Sequence, residues 1–252
     1  MKAMVLAAGL GTRLRPLTAD RPKALVEVAG RTLLETTLAR LRASGVSDVI
    51  VNTHHFTEMI QDYLKAHGNF GMRIEVSREE ELLDTGGGLK KAAHFFLDGG
   101  GDLEEPFILH NVDVLSTIDL GRMVRFHAEQ QALATLAVQD RETSRYLLFD
   151  GENQLCGRRA GRDGAPELAR PCAEMRALAF AGIHVISPLI FSKMKENGAF
   201  SIITTYLNLA ASGEKIAGFR ADEYDWRDLG RLESVMEAER DVSSGKLSTQ
   251  ID

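Results

Sequence analysis

Apolar segments of two kinds alternate along the first half of the chain. Residues Lys2 to Ala7 are apolar after the lysine, without polar alternation, which predicts a buried strand covered on both faces. Thr32 to Ala43 carries an apolar stripe at helical spacing that ends at Gly45, and Val46 to Thr53 predicts the next strand. These segments form one strand-helix-strand unit.

Two further units of the same kind follow. A helix is predicted from Thr57 to Ala66, ahead of a Gly68-Asn69 break, and a strand from Met72 to Val76. Another helix is predicted after the turn Gly86-Gly87-Gly88, and another strand from Pro106 to Val112. The alternation predicts an α/β protein with a doubly wound, mostly parallel sheet, whose ligands bind beyond the carboxyl ends of the strands.

Beyond Asp119 the alternation loosens and antiparallel signals enter. The predicted elements are a helix over 120–130, a strand over 133–138, a hairpin of 146–149 and 154–157, a polar loop or lid over 158–173, a strand over 178–186, helices near 188–196 and 201–212, and a strand over 215–219. We expect one domain over residues 1–242, with a partly antiparallel insertion after about residue 140 and a frayed polar tail over 243–252.

The first predicted strand runs directly into a glycine-rich loop with clustered cations. Ala8-Gly9-Leu10-Gly11 leaves backbone N–H groups accessible to an anion. Thr12, Arg13, Arg15 and Lys23 add a hydroxyl and three cations. Guanidinium forks and a mobile ammonium match the oxygens of a polyphosphate, so this loop predicts a nucleotide site.

Two common phosphate loops do not fit this stretch. The dinucleotide-binding fingerprint requires a third glycine where the chain has Leu14, and Pro16 suits a helix interior poorly. The P-loop would need Gly-Lys-Ser/Thr at Leu14-Arg15-Pro16.

Residues Leu6 to Lys23 instead match Leu-Ala-x-Gly-x-Gly-Thr-Arg-Leu-x-Pro-Leu-Thr followed by Pro-Lys. The chain therefore resembles the sugar-phosphate nucleotidyltransferases, whose short members include sugar-1-phosphate uridylyl- and guanylyltransferases, and the resemblance implies a Rossmann-like, GT-A-like fold. It implies two catalytic cations: Arg13 on the β- and γ-phosphates, and Lys23 on the α-phosphate and the sugar phosphate. The loop residues implied to bind the nucleotide are Leu6, Ala7, Ala8, Gly9, Gly11, Thr12 and Arg13.

A pair of acids forms the second candidate constellation. Asp113 follows the strand Phe107 to Val112, and Asp228 lies in Asp225-Trp-Arg-Asp-Leu-Gly230. Mg²⁺ takes one or two carboxylates together with phosphate oxygens and water. In the family that the chain resembles, acids at these two positions bind the metal, so Asp113 and Asp228 are the implied Mg²⁺ ligands. Val112 stands where the family usually has glycine.

Other matches imply the base and sugar contacts. The family's glycine pair at the base corresponds to Gly86 and Gly87 in Leu83-Asp-Thr-Gly-Gly-Gly-Leu89, although an ordinary capped helix start has the same pattern. Asn111 joins the nucleotide set, and the candidate sugar contacts are Asn52, His54, Gly182 and Lys23. Arg158-Arg159-Ala160 replaces the Glu-Lys-Pro segment of many relatives, which leaves the sugar open.

The resemblance implies transfer of a nucleotidyl group from a nucleoside triphosphate to a sugar 1-phosphate by Mg²⁺-assisted in-line displacement. The nucleotide would be held by about residues 1–140 and the sugar by about 141–230. A phosphate monoester is already a nucleophile, so the reaction needs no general base. Two alternatives remain: a phosphocholine-type cytidylyltransferase, with Tyr146, Phe149 and Trp226 as cage residues, and a non-catalytic nucleotide-sugar sensor.

Composition narrows the partners. The formal charge of -6 argues against a nucleic acid partner, and no long apolar segment predicts membrane insertion. Cys156 and Cys172 lack companions for a metal site and suit a reducing compartment as inert thiols, so we expect a cytoplasmic protein. A monomer and a small homo-oligomer are both compatible with the sequence, and the base, the sugar and the pathway stay open.

Overall fold

A ten-stranded mixed sheet with helices on both faces forms the body of the protein, whose computed structural model describes residues 1–97 and 105–244. The strands are β1 (Lys2–Leu6), β2 (Glu27–Val28), β3 (Arg31–Thr32), β4 (Asp48–Thr53), β5 (Arg73–Arg78), β6 (Phe107–Asn111), β7 (Val114–Ser116), β8 (Ala134–Gln139), β9 (Arg145–Phe149), β10 (Leu155–Ala160), β11 (Glu167–Leu168), β12 (Arg176–Ile186), β13 (Ile216–Arg220) and β14 (Trp226–Asp228). The α-helices are α1 (Leu33–Ala43), α2 (Thr57–Ala66), α3 (Asp84–Lys91), α4 (Ala93–Leu97), α5 (Leu120–Gln130), α6 (Ile190–Lys193), α7 (Ile202–Ala211) and α8 (Leu232–Ser243).

The parallel part of the sheet confirms the predicted fold class. The main strand order is β11-β10-β9-β12-β6-β1-β4-β5, and β13 and β8 join through β12. The pairs β1–β4, β1–β6 and β4–β5 are parallel, so their carboxyl ends lie at one edge. β1 is central, and its residues alternate between two apolar cores: Ala3 and Val5 pack in one, and Met4 packs in the other. A strand covered on both faces explains the uniformly apolar run.

The antiparallel insertion is also confirmed. β9 and β10 form the predicted hairpin around residues 150–153, and β11 extends it. The N-terminal half of β12 pairs with β9 and the C-terminal half with β6. The pairing of β12 with β8 has a register shift between Phe180 and His184. Gly182 lies inside this shift at φ +74°, a backbone conformation that other residues rarely adopt. The shift is the place where the insertion joins the parallel sheet.

Most predicted elements are found, and α2 and α5 have the predicted bounds. Three predictions needed correction. The three glycines lie inside α3 and not in a turn before it. The predicted loop over 158–173 is partly strand, because β10 continues to Ala160 and β11 follows. The helix predicted near 188–196 is shorter than expected and consists of α6 alone. The sequence analysis did not predict α4, α8, β7 or the β2–β3 hairpin, whose short or amphipathic segments gain order from packing. Most of the predicted tail lies in 245–252, outside the described residues.

Two other sequence predictions concern membrane insertion and thiol chemistry. Within residues 1–97 and 105–244, no helix has the length and apolar character needed to cross a bilayer. Cys156 is buried in β10, and burial raises the pKa of its thiol to about 12. The reactive thiolate is therefore suppressed at neutral pH, as an inert thiol requires.

Histidines in the core make the fold sensitive to acid. His184 is buried in β12, where its Nδ1 lies 2.8 Å from the Tyr206 hydroxyl, and burial lowers its pKa from 6.5 to about 3. Burial also lowers the pKa of His110 on β6 to about 3. The unfolded chain binds protons on these residues below pH 6.5, while the folded chain does not until about pH 3. Their contribution to stability is therefore complete above pH 6.5 and is lost as the pH falls towards 3.

We predict that replacing His184 by Gln weakens the acid sensitivity of folding. The wild-type free energy of unfolding should fall between pH 7 and pH 5, with about 2 kcal/mol of the fall due to His184. Urea unfolding of His184→Gln at both pH values should lack this share, because Gln retains a polar partner for Tyr206 but does not titrate. The exposed His67→Gln variant should match wild type, and an equal pH dependence in all three proteins would contradict the assignment.

Candidate active site

The carboxyl ends of three parallel strands place polar residues in one row. Leu6, the last residue of β1, lies opposite Asn52 of β4 and Asn111 of β6. Beyond Leu6 the chain enters the glycine-rich loop, and beyond Asn111 it reaches Asp113 after one residue. Strand pairing therefore brings the loop and the first candidate metal ligand together.

Close packing and one side-chain hydrogen bond fix the shape of the glycine-rich loop. Gly11 has φ +63°, and its carbonyl oxygen accepts a hydrogen bond from the Thr18 hydroxyl at 2.8 Å. A Cβ atom at Gly11 would lie 3.0 Å from Thr18 Cγ2 and 3.2 Å from Lys23 Cβ, so the position favours glycine by both conformation and space. Leu14 is buried and anchors the following 3₁₀ turn, while Thr12 and Arg13 stay exposed. The buried leucine thus holds the polar residues at the surface of the site.

Both candidate metal ligands and Arg13 meet around Gly230. β14 pairs with β7 so that Asp228 lies opposite Val114, and the Leu229 N–H donates to the Asp113 carbonyl oxygen at 2.8 Å. A Cβ atom at Gly230 would lie 2.7 Å from Asp228 Oδ1, 3.1 Å from Arg13 Nη2 and 3.2 Å from Asp113 Oδ2. Three charged groups from distant parts of the sequence therefore surround one small residue.

Lys23 completes this group of charges. Its ammonium forms an ion pair with the Asp113 carboxylate, and the two side chains are only 12% and 17% exposed. Asp228 instead accepts a hydrogen bond at 2.8 Å from the Gly230 N–H. Within the described residues no cluster of three or more His, Cys, Asp or Glu side chains has the arrangement of a metal site. A metal ion held here would need oxygen ligands from a substrate as well as Asp113 and Asp228.

A cavity of about 290 Å³ opens beside these charges. Its lining residues come from the glycine-rich loop, the ends of β4 and β6, and the start of α3. They are Leu6, Ala8, Gly9, Lys23, Asn52, Glu79, Leu82, Asp84, Thr85, Asn111, Val112 and Asp113. The cavity joins apolar walls to one cationic side, which suits a nucleoside with its phosphates directed towards Lys23. A larger polar cavity of about 810 Å³, between β14 and α8, includes Asp228 but not the glycine-rich loop.

Asn52, a candidate sugar contact, makes structural bonds in this state. Its Oδ1 accepts from the Ala7 N–H at 2.7 Å, and its Nδ2 donates to Glu79 Oε1 at 2.7 Å. The other oxygen of Glu79 accepts from the Leu83 N–H at 3.0 Å, at the start of α3. This buried network links the glycine-rich loop to α3. No sequence motif marked Glu79, because only the folded chain brings it under Asn52.

Gly86 and Gly87, the candidate base contacts, do not line the cavity. Both N–H groups point to the Phe200 carbonyl oxygen, at 2.9 and 3.3 Å, and a side chain at either position would overlap the segment containing Gly198 and Phe200. The glycines let α3 pack closely against this segment. As a result, Asp84 and Thr85 at the start of α3 face the cavity instead.

Of the candidate sugar contacts, Gly182 lies next to the site and His54 does not line the cavity. Gly182 abuts the site, since its Cβ would lie 2.8 Å from Asn111 Nδ2. His54 is outside the cavity lining, and its Nδ1 lies 2.9 Å from the Glu79 carbonyl oxygen. His54 is half-buried and its neighbour His55 is exposed, and the two rings are 4.5 Å apart in a turn.

Trp226 and an arginine that no motif indicated lie close to Gly182. The Trp226 indole N–H donates to the Ala181 carbonyl oxygen at 2.7 Å, beside Gly182. The Arg141 guanidinium lies over the Trp226 ring, 3.5 Å from its centroid. Burial lowers the pKa of Arg141, and the nearby Asp228 opposes this effect. Its loop position between β8 and β9 gives no periodic signal in the sequence.

Comparison with known proteins places the chain in a family. The Nucleotidyl transferase family model matches residues 2–160, more than half of the chain. The chain belongs to the nucleotidyl transferase family. This confirms the resemblance to sugar-phosphate nucleotidyltransferases, and the protein is therefore an enzyme of the nucleotidyltransferase class.

Curated relatives of this nucleotidyltransferase act on different sugars, by their names. It is 34% identical to the N-acetylmuramate alpha-1-phosphate uridylyltransferase of Caulobacter vibrioides, covering 94% of this chain and 95% of that protein. It is 31% identical to mannose-1-phosphate guanylyltransferase 1 of Arabidopsis thaliana, covering 92% of this chain but only 62% of that protein. The chain thus spans nearly the whole of the first relative and less than two thirds of the second.

Solved structures confirm the fold. The structure of HddC from Yersinia pseudotuberculosis complexed with GMP-PN superposes with a TM-score of 0.73 at 20% identity, covering 96% of this chain and 99% of that one. UDP-glucose pyrophosphorylase complexed with UDP-glucose gives a TM-score of 0.75 at 18% identity, covering 97% and 98% of the two chains. Similarity at this level of identity concerns the fold alone.

We predict that Asn52→Ala destabilises the nucleotidyltransferase by about 1–3 kcal/mol, because it leaves the Ala7 N–H and the Oε1 atom of Glu79 without their partner. Urea unfolding measures the effect. The exposed Asn208→Ala variant, which removes a hydrogen bond to Glu196, should change stability by less than about 0.5 kcal/mol. A stable Asn52→Ala protein with only a raised KM for sugar phosphate would instead assign Asn52 to direct sugar binding.

Proposed function

We propose that this nucleotidyltransferase transfers a nucleotidyl group from a nucleoside triphosphate to a sugar 1-phosphate, forming a nucleotide sugar and pyrophosphate. The observation that carries the proposal is the meeting of Arg13, Asp113 and Asp228 around Gly230, with Lys23 paired to Asp113. These groups lie beside a cavity that can hold a nucleoside. The names of the relatives support the same class of reaction.

The residues act by alignment and charge. A phosphate oxygen of the sugar 1-phosphate attacks the α-phosphorus, the bond from that phosphorus to the bridging oxygen breaks, and pyrophosphate leaves. In this proposal Lys23 neutralises the α-phosphate and the attacking phosphate, and Arg13 neutralises the departing phosphates. The phosphate nucleophile is already an anion, so no side chain needs to remove a proton. Fixing two anions against each other is the main task of the site.

Asp113 and Asp228 fit a divalent ion because both carboxylates reach one point beside the proposed phosphate site. They would hold Mg²⁺, which neutralises negative charge that develops on the phosphates. Lys23 is the present partner of Asp113, so the lysine would exchange this carboxylate for phosphate oxygens when substrates bind. The charge of each group stays compensated in both states.

For the nucleotide we propose UTP, because the relative that the chain matches over almost its full length is named as a uridylyltransferase. The Arabidopsis relative is named as a guanylyltransferase, which makes GTP the second candidate. We propose that the backbone from Leu6 to Thr12 holds the phosphates and that Ala8, Asn111 and the start of α3 hold the nucleoside. Gly86 and Gly87 would then act by placing α3 against the base. Residues 1–140 form the proposed nucleotide part and residues 141–230 the sugar part, in an enzyme of the cytoplasm, where nucleoside triphosphates are supplied.

We predict that Asp228→Asn lowers kcat/KM at least about 100-fold, because it removes one of two carboxylates that neutralise the metal. Pyrophosphate release with Mg²⁺ measures the loss, and chelation of divalent ions should abolish release by the wild type. The exposed Asp225→Asn variant, from the same segment, should retain wild-type activity. Wild-type rates in Asp228→Asn, with normal melting behaviour, would remove Asp228 from the site.

We also predict that pyrophosphate release requires one nucleotide and one sugar 1-phosphate together, with UTP the preferred nucleotide. The experiment uses four nucleoside triphosphates against N-acetylated, gluco, manno and heptose 1-phosphates and phosphocholine. Release only with GTP would replace the uridylyl assignment. Release only with phosphocholine would favour the cytidylyltransferase alternative, and binding of nucleotide sugars without any release would favour the sensor.

A further inference from the structure

Four residues on the sugar side form a group that we call the arginine-aromatic cluster: Arg141, Tyr146, Arg159 and Trp226. The Arg141 guanidinium lies 3.5 Å from the centre of the Trp226 ring. The Arg159 guanidinium lies 5.6 Å from the centre of the Tyr146 ring, and these two residues are cross-strand partners on β10 and β9. Aromatic faces hold both cations in place without neutralising their full charge.

The cluster adjoins the reacting groups. Arg141 donates from Nη2 to the Phe180 carbonyl oxygen at 2.8 Å, and Trp226 donates to the next carbonyl, that of Ala181. Gly182 follows immediately and abuts Asn111. Trp226 is also two residues before Asp228 on β14. The register shift in β12 thus brings the cluster to the edge of the proposed phosphate site.

Both arginines have unused capacity to bind an anion. The Nε atoms of Arg141 and Arg159 are buried without a hydrogen-bond partner, and neither guanidinium forms an ion pair with a described residue. Among the nearby acids, Glu167 pairs with Arg158 at 2.7 Å and Glu142 with Arg162 at 4.0 Å. Asp228 also lies near Arg141, but in the proposed reaction it would hold the divalent ion. A partly buried cation without a partner is costly, so a ligand anion would stabilise this arrangement.

In the proposed reaction Lys23 and a divalent ion neutralise the phosphate of the sugar 1-phosphate, and Arg13 neutralises the departing phosphates. The two half-buried guanidinium groups of the arginine-aromatic cluster have no role in that reaction. We infer that the sugar site takes a sugar 1-phosphate with a second anionic group, a carboxylate on the sugar, which Arg141 and Arg159 bind. This inference rests on the proposed function and narrows its substrate class.

The test compares N-acetylmuramate 1-phosphate with its lactyl amide, which has nearly the same shape but lacks the carboxylate charge. We expect wild-type kcat/KM, from pyrophosphate release with UTP and Mg²⁺, to favour the acid by about 100-fold, the value of one or two charge-assisted hydrogen bonds. Arg159→Gln should lower this acid-to-amide ratio about 10-fold or more, chiefly through KM. Arg158→Gln changes the neighbouring, exposed arginine and should leave the ratio unchanged.

Three results would overturn the inference. The first is an equal kcat/KM of the wild type for the acid and the amide. The second is a fall of the acid-to-amide ratio in Arg158→Gln as large as that in Arg159→Gln. The third is an equal fall of kcat/KM for both substrates in Arg159→Gln, which would assign the arginines to the C1 phosphate. Calorimetric binding of the same two sugars repeats the comparison without turnover. Absence of pyrophosphate release would therefore reject the proposed reaction, while the ratio of affinities would still decide whether a carboxylate is recognised.

Discussion

The ion pair between Lys23 and Asp113 is the interaction on which the site depends. Each charge is largely removed from water, and each would be costly to bury alone. Together they hold the segment after the glycine-rich loop against the end of β6. In the proposed reaction a nucleotide and a divalent ion would replace both partners at once, so that every charge stays compensated. The same constraint explains why Gly230 is adjacent, since any side chain there would displace the two carboxylates and Arg13.

The register shift in β12 attaches the antiparallel insertion to the sheet directly beside the candidate active site. A continuous strand would pair uniformly with its neighbours, whereas β12 passes from β9 to β6 through Gly182. The shift frees the carbonyl oxygens of Phe180 and Ala181 to accept from Arg141 and Trp226. The insertion is thereby attached directly beside Asn111. One strand thus carries both the nucleotide side and the proposed sugar side, and its backbone sets the distance between them.

Several residues that the sequence marked as ligands are supports in this structure. Asn52 bonds to Ala7 and Glu79, and the glycines of α3 pack against the segment that contains Phe200. These roles place the walls of the cavity and do not require contact with a substrate. A motif shows which residue types stand at a site but not what each residue does there. An asparagine or a glycine can be required either to contact a ligand or to support a wall of the cavity, and the motif looks the same in both cases.

The sequence by itself determined the alternation of strands and helices, the glycine-rich loop with Arg13 and Lys23, and the two acids, because periodicity and local motifs are properties of neighbouring residues. Only the tertiary structure brought Asp228 to Asp113, across more than a hundred residues, and placed Glu79 under Asn52. It also decided that Arg158 is neutralised by Glu167, whereas Arg141 and Arg159 form no ion pair with any described residue and their Nε atoms have no hydrogen-bond partner. Charge pairing depends on distances in space, and those distances follow from strand register and packing, which no local pattern contains.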